Sequence, residues 1–291
     1  IRFSGAGASV PSTNYYNLKL DAGAGSPTYT GIGGGILVLN DLIVGGSANS
    51  TFTVNTTDQT LEVRGDVSIL SNGTLEASNS ANLTVLGDWT NAGTFTNNSG
   101  TVRFTGTGTS NISAGNSSFG TVLINGTGDF NVTNHATATT WRLQNHDTFT
   151  LSSGQTLAVG GQFENGLGGA NTTWTGSTLS MFGNGTYSIN TSTSSDDYET
   201  VAVGTNTQIR MWNSQATAYN INVDGSLYSQ DHAGVNGDLY VHGKLTRTTG
   251  SDYWNYATDF DGTDLSGGSE RAVDVYFASG ASATWAGASL S

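Results

Sequence analysis

Short runs in which apolar and polar residues alternate recur along the whole chain, and Gly, Asn, Ser and Thr separate them. A run with a period of two predicts a β-strand that buries one face. No apolar period of 3.6 residues persists for three turns, so no helix is predicted. One pattern, Leu-x-Val-x-Gly or its Ile variant, occurs six times, starting at Leu42, Leu61, Leu83, Leu157, Ile221 and Leu239. Its two apolar side chains share one strand face, and its glycine permits a bend without a Cβ clash. Neighbouring copies lie 19, 22 and 18 residues apart (42 to 61, 61 to 83, 221 to 239). That spacing suits the coils of a solenoid, in which each strand pairs with its counterpart one coil on.

A longer cassette overlies the short motif. Ile1-Arg2-Phe3-Ser4-Gly5-Ala6-Gly7 recurs as Val102-Arg103-Phe104-Thr105-Gly106-Thr107-Gly108 and as Leu179-Ser180-Met181-Phe182-Gly183-Asn184-Gly185. Each copy precedes an aromatic and two alternating apolar residues: Tyr15/Leu18/Leu20, Phe119/Val122/Ile124 and Tyr198/Val201/Val203. The cassettes divide the chain into 1–101, 102–178 and 179–291, the last with an irregular aromatic and Asp-rich region near 250–268. The expected fold is all-β: an elongated parallel β-solenoid (β-helix) with coils of about 20 residues. An array of β-sandwiches is the alternative, and a variant module is open for 205–265. In the solenoid Val44, Val63, Val85, Val159, Val223 and Val241 point into one core.

At these motif and cassette positions the sequence resembles repeat-rich surface proteins of bacteria and archaea of the parallel β-helix type, adhesin and autotransporter passengers and filamentous-haemagglutinin-like segments among them. The resemblance implies an exported, surface-exposed, elongated protein and no particular ligand.

Composition narrows the function. Charged residues make up 11% of the 291 residues, against about a quarter in ordinary domains. The net charge is −13, with only Lys19, Lys244 and seven arginines on the basic side. No basic patch is available for a phosphate backbone, so nucleic acid is not an expected partner. Cysteine is absent, which removes disulfide, thiolate-metal and cysteine-nucleophile chemistry. No apolar run reaches the roughly 20 residues of a membrane-spanning helix. The chain begins at Ile1 with no signal peptide, as expected of a processed chain or a segment of a longer one.

Candidate chemistry is sparse. Asp259, Asp261 and Asp264 surround Gly262 and are the candidate ligands of a calcium ion. No acidic residue closes an EF-hand there, so an acidic surface turn is the competing reading. Asp66 and Asp88 follow motif glycines and read as turn residues. His135, His146, His232 and His242 lack metal-ligand spacing. The run Tyr253-Trp254-Asn255-Tyr256 could stack on sugars, although strand aromatics more often pack. Twelve Asn-x-Ser/Thr sequons occur, at Asn49, Asn55, Asn72, Asn82, Asn97, Asn111, Asn116, Asn125, Asn131, Asn171, Asn184 and Asn190. N-linked glycans there would hydrate a weakly charged surface. Asn72, Asn125 and Asn184, each in Asn-Gly-Thr, lead because they read as turns.

The expected function is that of an extracellular structural glycoprotein rather than an enzyme: a rod-like subunit or segment of a cell-surface filament, sheath or large adhesin. The alternative is a carbohydrate-binding or carbohydrate-cleaving β-helix of the polysaccharide-lyase or tailspike type. Trp174-Thr175-Gly176-Ser177-Thr178-Leu179-Ser180 and the final Trp285-Ala286-Gly287-Ala288-Ser289-Leu290-Ser291 match in character. The chain therefore ends in the phase in which it begins. Self-association is the expected partnership, either head to tail or as a longer tandem array.

Overall fold

A computed structural model describes residues 1–166, 171–191, 196–212, 216–223, 226–230, 239–247, 252–255, 275–277 and 282–285. The chain is an all-β parallel solenoid with coils of about 22 residues. No α-helix occurs among the described residues, and hence none long and apolar enough to cross a membrane. The chain divides into two compact units, Ile1–Trp141 with Asn145–Phe149 and Arg142–Gln144 with Thr150–Ser291.

In the first unit each coil visits three parallel sheets in turn. The first sheet stacks Leu18–Leu20, Leu42–Val44, Val67–Ile69, Trp89–Asn91, Ser110–Ser113 and Asp129–Val132. The second stacks Thr28–Ile32, Ser50–Thr53, Gly73–Glu76 and Thr94–Thr96. The third stacks Gly35–Val38, Thr60–Val63, Leu83–Val85, Thr101–Phe104 and Ser118–Asn125.

Strict register turns alternation into columns. Leu18, Leu42, Val67, Trp89, Ile112 and Val132 form one inward column of the first sheet. Tyr29, Phe52, Leu75 and Phe95 form that of the second. The third sheet has two, Ile36-Leu61-Leu83-Val102-Val122 and Val38-Val63-Val85-Phe104-Ile124. All these side chains are buried. Each fully buried Val or Leu contributes about 1.5–3 kcal/mol, so the columns drive folding. Between them aromatics interlock, as in the T-shaped contact of Trp89 with Phe95 at 5.0 Å.

The register corrects the sequence-based coil. Leu42–Val44 lies in the first sheet and Leu61–Val63 in the third, so the 19-residue step passes through the second sheet within a single coil. The rung below Leu61 is Ile36. Only the 22-residue step from Leu61 to Leu83 joins successive rungs. The 18-residue step from Ile221 to Leu239 does not, because Ile221 pairs with Leu245 while Leu239 pairs with Ala216, across a register shift between Ala218 and Asn220. Val44, Val63, Val85 and Val159 are nonetheless all buried as expected. The side chains of Val223 and Val241 lie outside the described residues.

The cassette acquires a physical meaning as two consecutive rungs. Phe3 pairs with Leu20, Phe104 with Ile124 and Met181 with Val203. Val102 also pairs with Leu83 in the coil before it, and Leu179 with Leu157.

Glycine enters where coils touch. A Cβ on Gly73 would lie 2.1 Å from the Val44 carbonyl oxygen, a distance no side chain tolerates. Gly45 turns the first sheet toward the second with φ +103°, in the region that favours glycine.

In the second unit Thr156–Val159, Thr178–Met181, Asp196–Val203 and Ala216–Val223 pair in parallel. A second ladder joins Phe163–Asn165, Gly185–Thr191, Thr207–Trp212, Ser226–Gln230 and Asp252–Asn255. Parallel pairing thus continues through the described parts of 205–265. Leu157, Leu179 and Val201 form one buried column, and Phe163, Trp174 and Tyr198 pack beside each other as buried aromatics.

Candidate interaction surfaces

Polar side chains in the first unit are organised by the same register. One residue before the inward column of the first sheet stand Asn17, Asp41, Asp66 and Asp88, at the corner that leads in from the third sheet, and Asn111 and Asn131, within first-sheet strands. The Asp41 N–H donates to Asn17 Oδ1 at 3.1 Å, and the Asp66 N–H to Asp41 Oδ1 at 3.1 Å. The Asp88 N–H donates to Asp66 Oδ1 at 2.8 Å, and the Asn111 N–H to Asp88 Oδ1 at 2.7 Å. The Asn131 amide continues the series onto Asn111 Oδ1 at 3.4 Å. Asn17, Asp41, Asp66 and Asp88 therefore each clamp the backbone of the next coil, with the added strength of an ionised acceptor at the three aspartates.

The motif glycines make room for this ladder. A Cβ on Gly65 would lie 2.6 Å from Asp41 Oδ1, and one on Gly87 2.4 Å from Asp66 Oδ1. Asp66 and Asp88 are turn residues, as expected, but they are also neighbours in a stack. The signal that finds them is the step between equivalents, 24, 25, 22, 23 and 20 residues. Tyr16 and Leu39 precede this ladder in consecutive coils and are exposed, Tyr16 at 71%.

The outward positions of the second sheet are nearly uniform. Thr28, Thr51, Thr74 and Thr94 form one rank, and Thr30, Thr53, Glu76 and Thr96 the other, while at one edge stand Ile32 and, on the fifth strand Ser9–Pro11, Ser9 and Pro11. The outward positions of the first sheet run Lys19, Ile43, Ser68 and Thr90. Those of the third run Leu37, Glu62, Thr84, Arg103 and Leu123 in one rank, with Gly35, Thr60, Thr101 and Thr121 in the other.

Besides buried tyrosines, one acidic and one basic side chain are buried among the described residues, Asp21 and His146. Asp21 accepts the Ser47 N–H at 2.9 Å and pairs at 3.0 Å with both Arg2 and Lys19. The Ser47 bond and the two cations hold its carboxyl below the usual range, against the opposing effect of burial. His146 packs on Phe149 with ring centroids 6.3 Å apart. Burial pushes its imidazole below the ordinary value, with Asp147 opposing. Gln59 is also buried, and neither of its amide atoms meets a partner among the described residues.

Asp259, Asp261 and Asp264 lie outside the described residues, as does His232. Among the described residues no group of three or more His, Cys, Asp or Glu could hold a metal ion. Tyr253 and Trp254 sit on the strand Asp252–Asn255, paired with Leu227 and Tyr228. The sequon side chains of Asn49, Asn82, Asn111, Asn116, Asn171 and Asn184 are exposed, and those of Asn55, Asn97, Asn125 and Asn131 are half-buried. Asn72 is tied down at both ends of its amide, donating to the Gly46 carbonyl at 2.6 Å and accepting the Gly46 N–H at 2.9 Å. The side chain of Asn190 lies outside the described residues. No protein-family model, no curated protein and no solved structure matches the chain.

Proposed function

We propose that this chain is a structural protein of the cell exterior, a rod-like segment or subunit of a surface filament, sheath or large adhesin. The observation that carries the reading is the corner ladder. Its conspicuous polar residues, Asp41, Asp66 and Asp88, each direct an oxygen at the backbone of the next coil. A stack whose core and whose corner both repeat in register resists bending and coil slippage. Its weakly charged surface, at 11% charged residues, suits hydration by N-linked sugars at the exposed sequons. Self-association end to end would extend the same ladders from one copy to the next. Negative-stain microscopy of the purified chain tests the reading. Rods or filaments of uniform width are expected, and compact particles would contradict it. Deleting residues 1–7 removes the strand Arg2–Phe3 and is expected to abolish end-to-end growth.

A second reading, carbohydrate binding, draws on exposed Tyr16 beside a stack of carboxylates. A glycan array distinguishes it. Binding of an oligosaccharide that Tyr16→Ala abolishes would favour this reading over a purely structural role.

A further inference from the structure

We propose that the threonine face of the first unit binds the surface of ice. Seven of the nine outward positions in the four rungs from Thr28 to Thr96 are threonine, and the other two are Ile32 and Glu76. A general preference of strands for β-branched residues would distribute threonine over all three sheets. Threonine does stand outward on the other two sheets, at Thr60, Thr84, Thr90, Thr101 and Thr121, but there it is broken up by Lys19, Ile43, Ser68, Leu37, Glu62 and Arg103, so that only the second sheet carries it in nearly continuous ranks.

The fold converts this composition into a lattice. Parallel rungs repeat every 4.8 Å or about that, and alternate residues along a strand about every 6.6 Å. Threonine is stiff at χ1, and each threonine rank flanks the buried column Tyr29, Phe52, Leu75 and Phe95. Methyl and hydroxyl groups are thereby held in a two-dimensional array whose two repeats lie near the a-axis and c-axis repeats of hexagonal ice. Hydroxyls can take lattice positions of water oxygens, while methyls deny water the competing inward bonds that keep it liquid-like. Because the array is preformed, adsorption costs little ordering of side chains.

Charge points the same way. Ice is neutral, and an ionised side chain would orient water against the lattice. The face carries Glu76 alone, in the rear rank, whereas Lys19, Glu62 and Arg103 stand on the other sheets. The front rank makes first contact: Thr28 and Thr94 are exposed and Thr51 and Thr74 half-buried. In the rear rank Thr53 is recessed and its hydroxyl accepts the Asn55 N–H at 3.3 Å. A four-rung array is small, so slowing of recrystallisation is expected to be easier to detect than a depressed freezing point.

The test uses the full chain, fluorescently labelled at its amino terminus, and a polycrystalline ice film annealed just below melting. The chain is expected to enter a slowly grown ice hemisphere and to slow grain growth. Thr51→Tyr, which places a ring in the front rank, is expected to raise the concentration needed by about tenfold or more, a change of ~1.4 kcal/mol. The near-isosteric Thr51→Val guards against misfolding and is expected to keep most of the activity. Thr84→Tyr, on the third sheet, is expected to change nothing. Exclusion of the wild-type chain from ice would overturn the proposal, as would equal losses from Thr51→Tyr and Thr84→Tyr. Retention on crystalline polysaccharide by the same face, without entry into ice, would overturn it in favour of a glycan surface.

Discussion

Asp21 offers a quantitative test of how the first coils are held. Its side chain is 4% exposed, yet its two cations are not buried, with Arg2 at 54% and Lys19 at 37% side-chain exposure. Removing the carboxylate therefore strands no buried positive charge. What is lost is the charge-assisted bond from the Ser47 N–H, worth about 1.5–3 kcal/mol, and two solvent-screened ion pairs of about 0–1 kcal/mol each. Asp21→Ala should thus destabilise by about 2–4 kcal/mol. Asp21→Asn keeps an acceptor for Ser47 and should cost about half as much. The pH dependence has a defined sign. A carboxyl lowered in the folded state stabilises above its unfolded value of about 3.9 and ceases to do so as pH falls through the folded value. Urea unfolding from pH 5 down to pH 2, with hydrogen exchange at Ser47, measures both effects. Asp21→Asn should flatten the acid limb and speed exchange at Ser47. An unchanged acid limb together with unchanged exchange would show that Asp21 does not anchor these coils.

Further outcomes follow from packing and burial. Val63→Asp places a carboxyl in the column between Val38 and Val85 and should cost about 3 kcal/mol or more, seen as a lowered urea midpoint. Gly73→Ala forces a Cβ onto the Val44 carbonyl and should cost about 1–3 kcal/mol, whereas Gly108→Ala, with nothing within 4 Å, should be silent in the same titration. His146, lowered from 6.5 by burial, contributes stability above that pH that is lost as pH falls from there through the folded value; His146→Phe should abolish this loss between pH 7 and pH 5. Mass spectrometry of native material should find sugar at exposed sequons such as Asn82 and Asn184, with Asn72 unmodified because Gly46 engages its amide.

The alternation in Leu61-Glu62-Val63 and Leu83-Thr84-Val85 reveals strands, their inward face and the role of the following glycine directly. Coil length was harder to read, because Leu42–Val44 carries the same motif on a different sheet. A motif that answers to a bend recurs at more than one corner and so cannot say which corner it marks. The corner ladder is hidden in composition, since Asn and Asp serve the same acceptor role and alternate as Asn17, Asp41, Asp66, Asp88 and Asn111. It emerges only when the residue before each inward apolar side chain of the first sheet is aligned. The threonine ranks are visible as Thr-x-Thr at 28–30, 51–53 and 94–96, but that they share one sheet depends on the register. Asp21 has no sequence signature, because its partners Arg2 and Ser47 come from the coils on either side.

The most direct test of the parallel, in-register stack places spin labels on neighbouring rungs. Glu62 pairs with Thr84, and the chain has no native cysteine, so Glu62→Cys/Thr84→Cys labels that pair alone. Their backbones stand about 4.8 Å apart, and frozen-solution electron paramagnetic resonance should show strong dipolar broadening. Glu62→Cys/Arg103→Cys, two rungs apart through Thr84, should show clearly weaker broadening. Absence of broadening in the Glu62/Thr84 pair, or equal broadening in both pairs, would contradict the stacked-coil account.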